Sequence, residues 1–319
     1  MRICMKGSKS LFENAAGIAR KWRELFQVNA RMISHRPFPP RIALYAASIL
    51  ICTVLFTLLL VIDTACVEGE TSPWREVDDG LLIGEFEAHP NCGSSDTKIL
   101  ILKIDPQKYA FKLMSASEHD GRKMTLKEWV EKYGVVAAFN AGMYQADGIT
   151  SVGFMKNFKH VNNSRLNKNK AVLAFNPVDP SVPEIQIIDR ECQDFENLKG
   201  KYRTFVQSIR MVSCEQQNVW SPQPAAWSTL AIAMDKSRKV LIIFSQQPYG
   251  VHDLIEILLS LPISIYNAMY LEGGPQASFY LSTKNVTIEK NGVWEGSPES
   301  HNPLRVSWPI PNILGIVRK

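Results

Sequence analysis

The chain has 319 residues, with 36 Lys and Arg against 31 Asp and Glu, a net charge of +5. Nine of the basic residues (Arg2, Lys6, Lys9, Arg20, Lys21, Arg23, Arg31, Arg36 and Arg41) precede residue 42, opposed only by Glu13 and Glu24, so the leader carries +7 and the remainder −2. That balance excludes a broad nucleic-acid-binding surface beyond residue 41.

Ile42 to Ile62 is an uncharged run built mostly from Leu, Ile, Val and Ala. As a helix it would span roughly 30 Å, the thickness of a bilayer core. The basic leader before it keeps the N-terminus in the cytoplasm and sends the rest across. The length of the run and of the leader favours an uncleaved anchor over a cleavable signal peptide. The chain therefore divides into a leader at 1–41, an anchor at 42–62, a linker at 63–79 and one large domain at 80–319. The expected setting is a single-pass membrane protein whose main domain is periplasmic or extracellular. Cys66, Cys92, Cys192 and Cys214 would meet an oxidising compartment there. Four cysteines allow three pairings, and Cys192 with Cys214 is preferred because the two flank one helix-to-strand passage. No CxxC or Cys/His zinc spacing occurs. No cofactor is expected, and calcium held by scattered oxygens stays open.

Along the domain, Gly80–Glu87, Thr97–Ile104 and Tyr109–Ser115 read as strands, the last two joined by a turn at Asp105-Pro106-Gln107-Lys108. Thr125–Tyr133 reads as an amphipathic helix with a capping box from Thr125 and Glu128, stopped by Gly134. Val135–Phe139, Ala171–Phe175, Glu184–Ile188, Arg203–Ser208, Leu230–Met234 and Val240–Phe244 follow as strands. Val251–Leu261 is the strongest helix, stopped before Pro262. Ile265–Leu271 is a strand ending at Glu272, and Phe279–Leu281 with Val286–Glu289 form a last hairpin. The pattern predicts an α+β fold: a mixed, strand-rich sheet with a few flanking helices, preceded by one transmembrane helix.

Three polar segments follow buried strands. Phe139-Asn140-Ala141-Gly142-Met143-Tyr144 puts an amide at a strand end beside a glycine, a pattern also found in ordinary turns. Gln207-Ser208-Ile209-Arg210-Met211 offers a guanidinium fork suited to a phosphate or carboxylate. Tyr270-Leu271-Glu272-Gly273-Gly274-Pro275-Gln276-Ala277-Ser278 releases a carboxylate from a strand where two glycines free the backbone.

In this order the segments resemble the phosphodiester glycosidase family, over roughly residues 80–317. Ser151-Val152-Gly153 resembles its glycine-bearing strand, Ser228-Thr229-Leu230-Ala231-Ile232-Ala233-Met234-Asp235 its Arg-Thr-Ala-Ile-Gly-like strand, and Leu271–Ser278 its Leu-Asp-Gly-Gly-Gly-Ser segment. Three departures stand out. Glu272 replaces the usual Asp, Trp227 or Ser228 the usual Arg, and Ile209-Arg210 an expected Gly-Pro.

The resemblance implies cleavage of a sugar 1-phosphodiester, in cell-surface or exopolysaccharide metabolism. The leaving phosphate needs little acid help, so the reaction calls for one carboxylate near the anomeric carbon and donors on the phosphate. Glu272 is the first choice for the carboxylate, with Asp147 and Asp253 as partners. Arg210 or Lys156 would hold the phosphate, while Asn140 and Asn163 would position sugar hydroxyls. His160 falls in a polar stretch expected to line the cleft, where it could act as a base near neutral pH. Gly142, Gly153, Ser228, Gly273, Gly274 and Ser278 complete the expected substrate-binding set. The competing reading is a non-catalytic saccharide-binding or exopolysaccharide biosynthesis accessory protein on the same fold.

Overall fold

The computed structural model describes residues 72–88, 98–295 and 306–319. The basic leader, the apolar run 42–62, Cys66 and Cys92 lie outside them. Among the described residues no helix is long and apolar enough to cross a membrane.

Seventeen strands form three sheets among the described residues. The first sheet takes β1 (Trp74–Asp78), β2 (Leu81–Glu87), β3 (Lys98–Ile104), β13 (Val240–Tyr249), β12 (Trp227–Asp235), β14 (Ile265–Gly273) and β11 (Arg210–Val212), in that order. The second takes β7 (His160–Asn163), β6 (Met155–Asn157), β10 (Tyr202–Ser208), β8 (Ala171–Pro177) and β9 (Ile185–Asp189). The third takes β16 (Thr287–Asn291), β15 (Ser278–Ser282), β5 (Ala137–Asn140), β17 (Asn312–Arg318) and β4 (Tyr109–Ser115).

All three sheets turn one face to a common core. Leu100, Leu102, Ile232, Ile242 and Leu271 enter it from the first sheet, Leu173, Phe175 and Val206 from the second, and Phe139, Phe279 and Leu314 from the third. Each opposite face is covered by a helix. Leu254, Ile255 and Leu258 of α3 (Val251–Ser260) lie on Ile99, Ile101 and Ile243. Trp129 of α1 (Leu126–Tyr133) packs with Ala138 and Ile313, and Phe195 of α2 (Phe195–Lys199) with Val172 and Phe205. Burial on both faces explains why the central strands are apolar at nearly every position instead of alternating. Each fully buried Leu or Ile stabilises by about 2 kcal/mol.

The expected mixed sheet is corrected here: every strand pairing among the described residues is antiparallel. The reason is visible at α3. It links β13 to β14, but β12 lies between them and pairs antiparallel with both. A strand–helix–strand unit is present, yet its two strands never touch. Trp74–Asp78, inside the stretch read as linker, is a strand, and Asn312–Arg318, absent from the predicted elements, sits between β5 and β4.

The α1 capping box forms as its sequence predicts. The Glu128 N–H donates to Thr125 Oγ1 at 3.3 Å, and the Thr125 N–H donates to Glu128 Oε2 at 2.8 Å. Gly134 ends the helix in the left-handed conformation. Thr125→Ala is expected to destabilise the fold by about 1 kcal/mol, read as a lower urea midpoint at unchanged slope. An unchanged midpoint would show that the cap contributes nothing.

Candidate active site

Glu272 lies at the end of β14, where the pairing with β12 slips by one residue. Ala231 faces Tyr270 but Leu230 faces Glu272, so Leu271 is the extra residue of a β-bulge. A bulge re-aims a side chain that regular alternation would place elsewhere. The carboxyl is 6 % exposed. Its Oε1 accepts from the Gly273 N–H at 3.1 Å, and its Oε2 has no hydrogen-bond partner. Burial pushes its pKa up to about 7, partly offset by the Gly273 N–H. A carboxyl in that range exchanges its proton near neutral pH, as a general acid or base requires.

Tyr144 and Tyr270 lie within reach of its charge, and further aromatic rings pack on Tyr270 and against the next two residues. The Trp227 indole N–H donates to the Tyr270 hydroxyl at 2.9 Å, and the Trp220 ring lies 5.6 Å from the Tyr270 ring. Trp294, half-exposed, meets Trp227 edge-on at 5.9 Å. Burial, helped by the Glu272 charge, raises the pKa of both Tyr144 and Tyr270, so both hydroxyls stay protonated as donors. Gly273 is required for this packing: a Cβ there would lie 1.9 Å from the Tyr270 hydroxyl and 2.5 Å from the Trp227 ring. Gly274 takes φ +64° in the short 3₁₀ turn Gly274–Gln276, with the Trp294 ring against it. Flat apolar faces beside a buried carboxyl and phenolic donors suit a sugar ring, which has C–H faces and hydroxyl edges.

The other expected site residues divide by what they touch. Asn140 is fully buried, and its amide holds the turn after Glu272: Nδ2 donates to the Gln276 carbonyl at 3.0 Å and Oδ1 accepts from the Ser278 N–H at 2.8 Å. It thus shapes the Glu272 turn with both amide atoms engaged. Ser278 bonds Asn291, and Ser228 accepts from the Val293 N–H, so both tie strands together. Gly142 follows β5 at φ +107°. At Gly153 a Cβ would come within 2.5 Å of the Gln207 carbonyl, so the backbones meet there.

Asn163 donates to the Ser151 carbonyl at 2.7 Å, and His160 bonds Ser117 at 3.0 Å. Lys156 is half-buried on β6, paired across to Phe205. Asp147 caps its own exposed turn, accepting from the Thr150 hydroxyl and from the Ile149 and Thr150 N–H groups, which together lower its pKa. Asp253 is 73 % exposed in the first turn of α3, beside His252. No hydrogen bond or ion pair joins either acid to Glu272 among the described residues.

Arg210 stands opposite Met269, three residues before Glu272. Its guanidinium grips Asp189, with Nη1 2.8 and 3.0 Å from the two carboxylate oxygens. Asp189 is 1 % exposed and also accepts from the Cys214 and Glu191 N–H groups. Cys192 and Cys214 form the disulfide preferred from the sequence. With its ends 22 positions apart in the sequence it stabilises by about 3 kcal/mol. Asp189 and the two sulfurs lie close enough to hold a metal, but the sulfurs are spent in the bond and the carboxylate on Arg210.

Sequence reading missed Tyr144, Trp220, Trp227, Tyr270 and Trp294 as members of the site. The Trp residues come from loops and strand ends that only the fold assembles.

No curated protein matches the chain. Among solved structures, a hypothetical protein from Synechocystis shares the fold, with a TM-score of 0.55 and 11% sequence identity over 78% of this chain and 64% of that one. The zebrafish N-acetylglucosamine-1-phosphodiester alpha-N-acetylglucosaminidase catalytic domain, auto-inhibited by its pro-peptide, aligns at a TM-score of 0.48 and 11% identity, over 74% of this chain and 88% of that one. The phosphodiester glycosidase family model matches residues 133–317, more than half the chain, and that stretch runs from the end of α1 through Asn140 and Glu272 into β17. With that match over the elements that build the Glu272 site, the chain belongs to the phosphodiester glycosidase family.

Proposed function

We propose that the protein is a membrane-anchored hydrolase that cleaves the bond between an anomeric carbon and phosphate in a sugar 1-phosphodiester, outside the cytoplasm. The observation that carries this reading is the Glu272 carboxyl, buried, with one oxygen unpartnered and a pKa raised to about 7. The apolar run 42–62 behind a basic leader supports the anchor, and the Cys192–Cys214 disulfide supports the oxidising side of the membrane. A role in cell-surface or exopolysaccharide metabolism fits that setting.

In this reading the sugar ring lies against the Trp227 and Trp294 faces. Ionised Glu272 takes a proton from water as the water oxygen bonds the anomeric carbon. The carbon–oxygen bond to phosphate breaks, and the phosphate monoester leaves as an anion without needing a proton. Tyr144 and Tyr270, held protonated, donate to developing charge. The base form of Glu272 exists above its pKa, so kcat/KM is expected to rise with pH and level off above about 7. The check is a pH profile of sugar release from a panel of sugar 1-phosphodiesters by the full chain. A profile falling through that range would reassign Glu272 as a proton donor, and no release from any member would remove the hydrolase reading. One observation favours the accessory-protein alternative: Arg210, the expected phosphate holder, is spent on Asp189. Saccharide binding without turnover would support it.

A further inference from the structure

A cavity of about 310 Å³ lies at the other end of β14 from Glu272. Five residue steps along the strand, about 17 Å, take Asn267 to Glu272. Ile185 and Ile187 of β9 form one wall, the β12–β13 hairpin with Lys236 and Arg238 another, and Tyr266 and Asn267 a third. The hairpin turn is pinned: Asp235 Oδ1 accepts from the Ser237 and Lys239 N–H groups, both at 2.8 Å, and the Lys236 N–H donates to the Ser264 carbonyl at 2.9 Å. The Asp235 charge is met by Lys103 at 2.9 Å, so it does not neutralise its hairpin neighbours. Among the described residues neither Lys236 nor Arg238 has an ion-pair partner.

Asn267 is 2 % exposed and donates from Nδ2 to the Ile187 carbonyl at 2.9 Å, while its Oδ1 has no partner. A buried acceptor without a donor is costly unless something supplies one. Tyr266 stands 43 % exposed at the rim. The cavity therefore offers two cations, one unmet acceptor, an aromatic ring and aliphatic walls. A ligand matching all of these carries an anion, a hydroxyl and an apolar ring face.

We propose that this cavity binds an acidic sugar residue, its carboxylate or phosphate on Lys236 and Arg238 and a hydroxyl on Asn267. It would hold a charged part of a glycan away from the Glu272 site, independently of any reaction there.

The test is calorimetric titration of the full chain with glucuronate, glucose 6-phosphate, glucose and inorganic phosphate. One acidic sugar is expected to bind at least about ten-fold more tightly than glucose or phosphate, and the better of the two identifies the anion. The Lys236→Gln, Arg238→Asn double variant is expected to weaken that binding about ten-fold or more. Asn tolerates the φ of +62° that Arg238 adopts, so the hairpin is kept. Tyr266→Ala, on an exposed ring, is a second variant expected to weaken binding. Glu272→Gln is expected to leave it unchanged, which separates this site from the proposed reaction. The proposal is overturned if neither acidic sugar binds, if glucose or phosphate binds equally well, if both cavity variants bind normally, or if Glu272→Gln abolishes binding.

Discussion

Glu272→Gln is expected to lower sugar release about 10³-fold and, above neutral pH, to make the fold more stable. Both effects come from one feature, a carboxyl held at the edge of the core with one oxygen unmet. Gln keeps the shape and cannot take a proton from water. The stability effect follows from linkage. The folded pKa, about 7, lies above the usual 4.5, so the folded state holds the proton more tightly than the unfolded chain. Below pH 4.5 both states are protonated and burial of the group carries no charge penalty. Between 4.5 and 7 the folded state loses stability as pH rises, and above 7 the full penalty applies. A shift of that size corresponds to about 3 kcal/mol. Gln stays neutral throughout, so the variant should match wild type near pH 4 and exceed it by up to about 3 kcal/mol near pH 8. Urea denaturation at the two pH values reads this directly. Equal stability gaps at both would mean that Glu272 is not the strained acid described here. A site that destabilises its own fold is the expected mark of function over stability.

Arg210→Ala is expected to cost about 3–5 kcal/mol of stability, because it leaves the Asp189 carboxylate buried without a counter-charge. The cost should be partly recovered in the double variant Arg210→Ala, Asp189→Asn. There the charge is gone, while the amide oxygen can still accept from one of the two N–H groups, Glu191 or Cys214, that bond separate oxygens of Asp189. Turnover by the folded fraction should change only a few-fold, since the guanidinium is committed to Asp189. A large rise in KM with stability unchanged would instead return Arg210 to the phosphate. Thermal melts of the single and double variants, paired with kinetics well below the melting range, distinguish the two.

These predictions rest on parts of the molecule that differ in how far the chain alone reveals them. The strands β2, β3, β4, β8, β12 and β13, the helices α1 and α3, the Thr125–Glu128 cap and the β15–β16 hairpin were legible, since their signals are local: period, cap and turn chemistry. β1 and β17 were not: β1 fell inside the stretch read as linker although Asp79-Gly80 marks its turn into β2, and β17 pairs with β4 and β5, which lie far from it in the chain. The mixed-sheet expectation failed for the same kind of reason, because a helix between two strands does not say whether a third strand will lie between them.

Glu272 was legible as a carboxylate leaving a buried strand beside two glycines, and the Cys192–Cys214 pair as two cysteines flanking one passage. The commitment of Arg210 to Asp189, and of Asn140 to the turn at 276–278, was not, because each bond joins residues 21 or more positions apart. Sequence by itself determined most of the local elements, the family and the presence of a carboxyl where a buried strand ends. Tertiary structure alone decided its chemistry, for a carboxyl's proton affinity depends on what surrounds it. A one-residue bulge, aromatics drawn from distant segments and the loss of water set that environment.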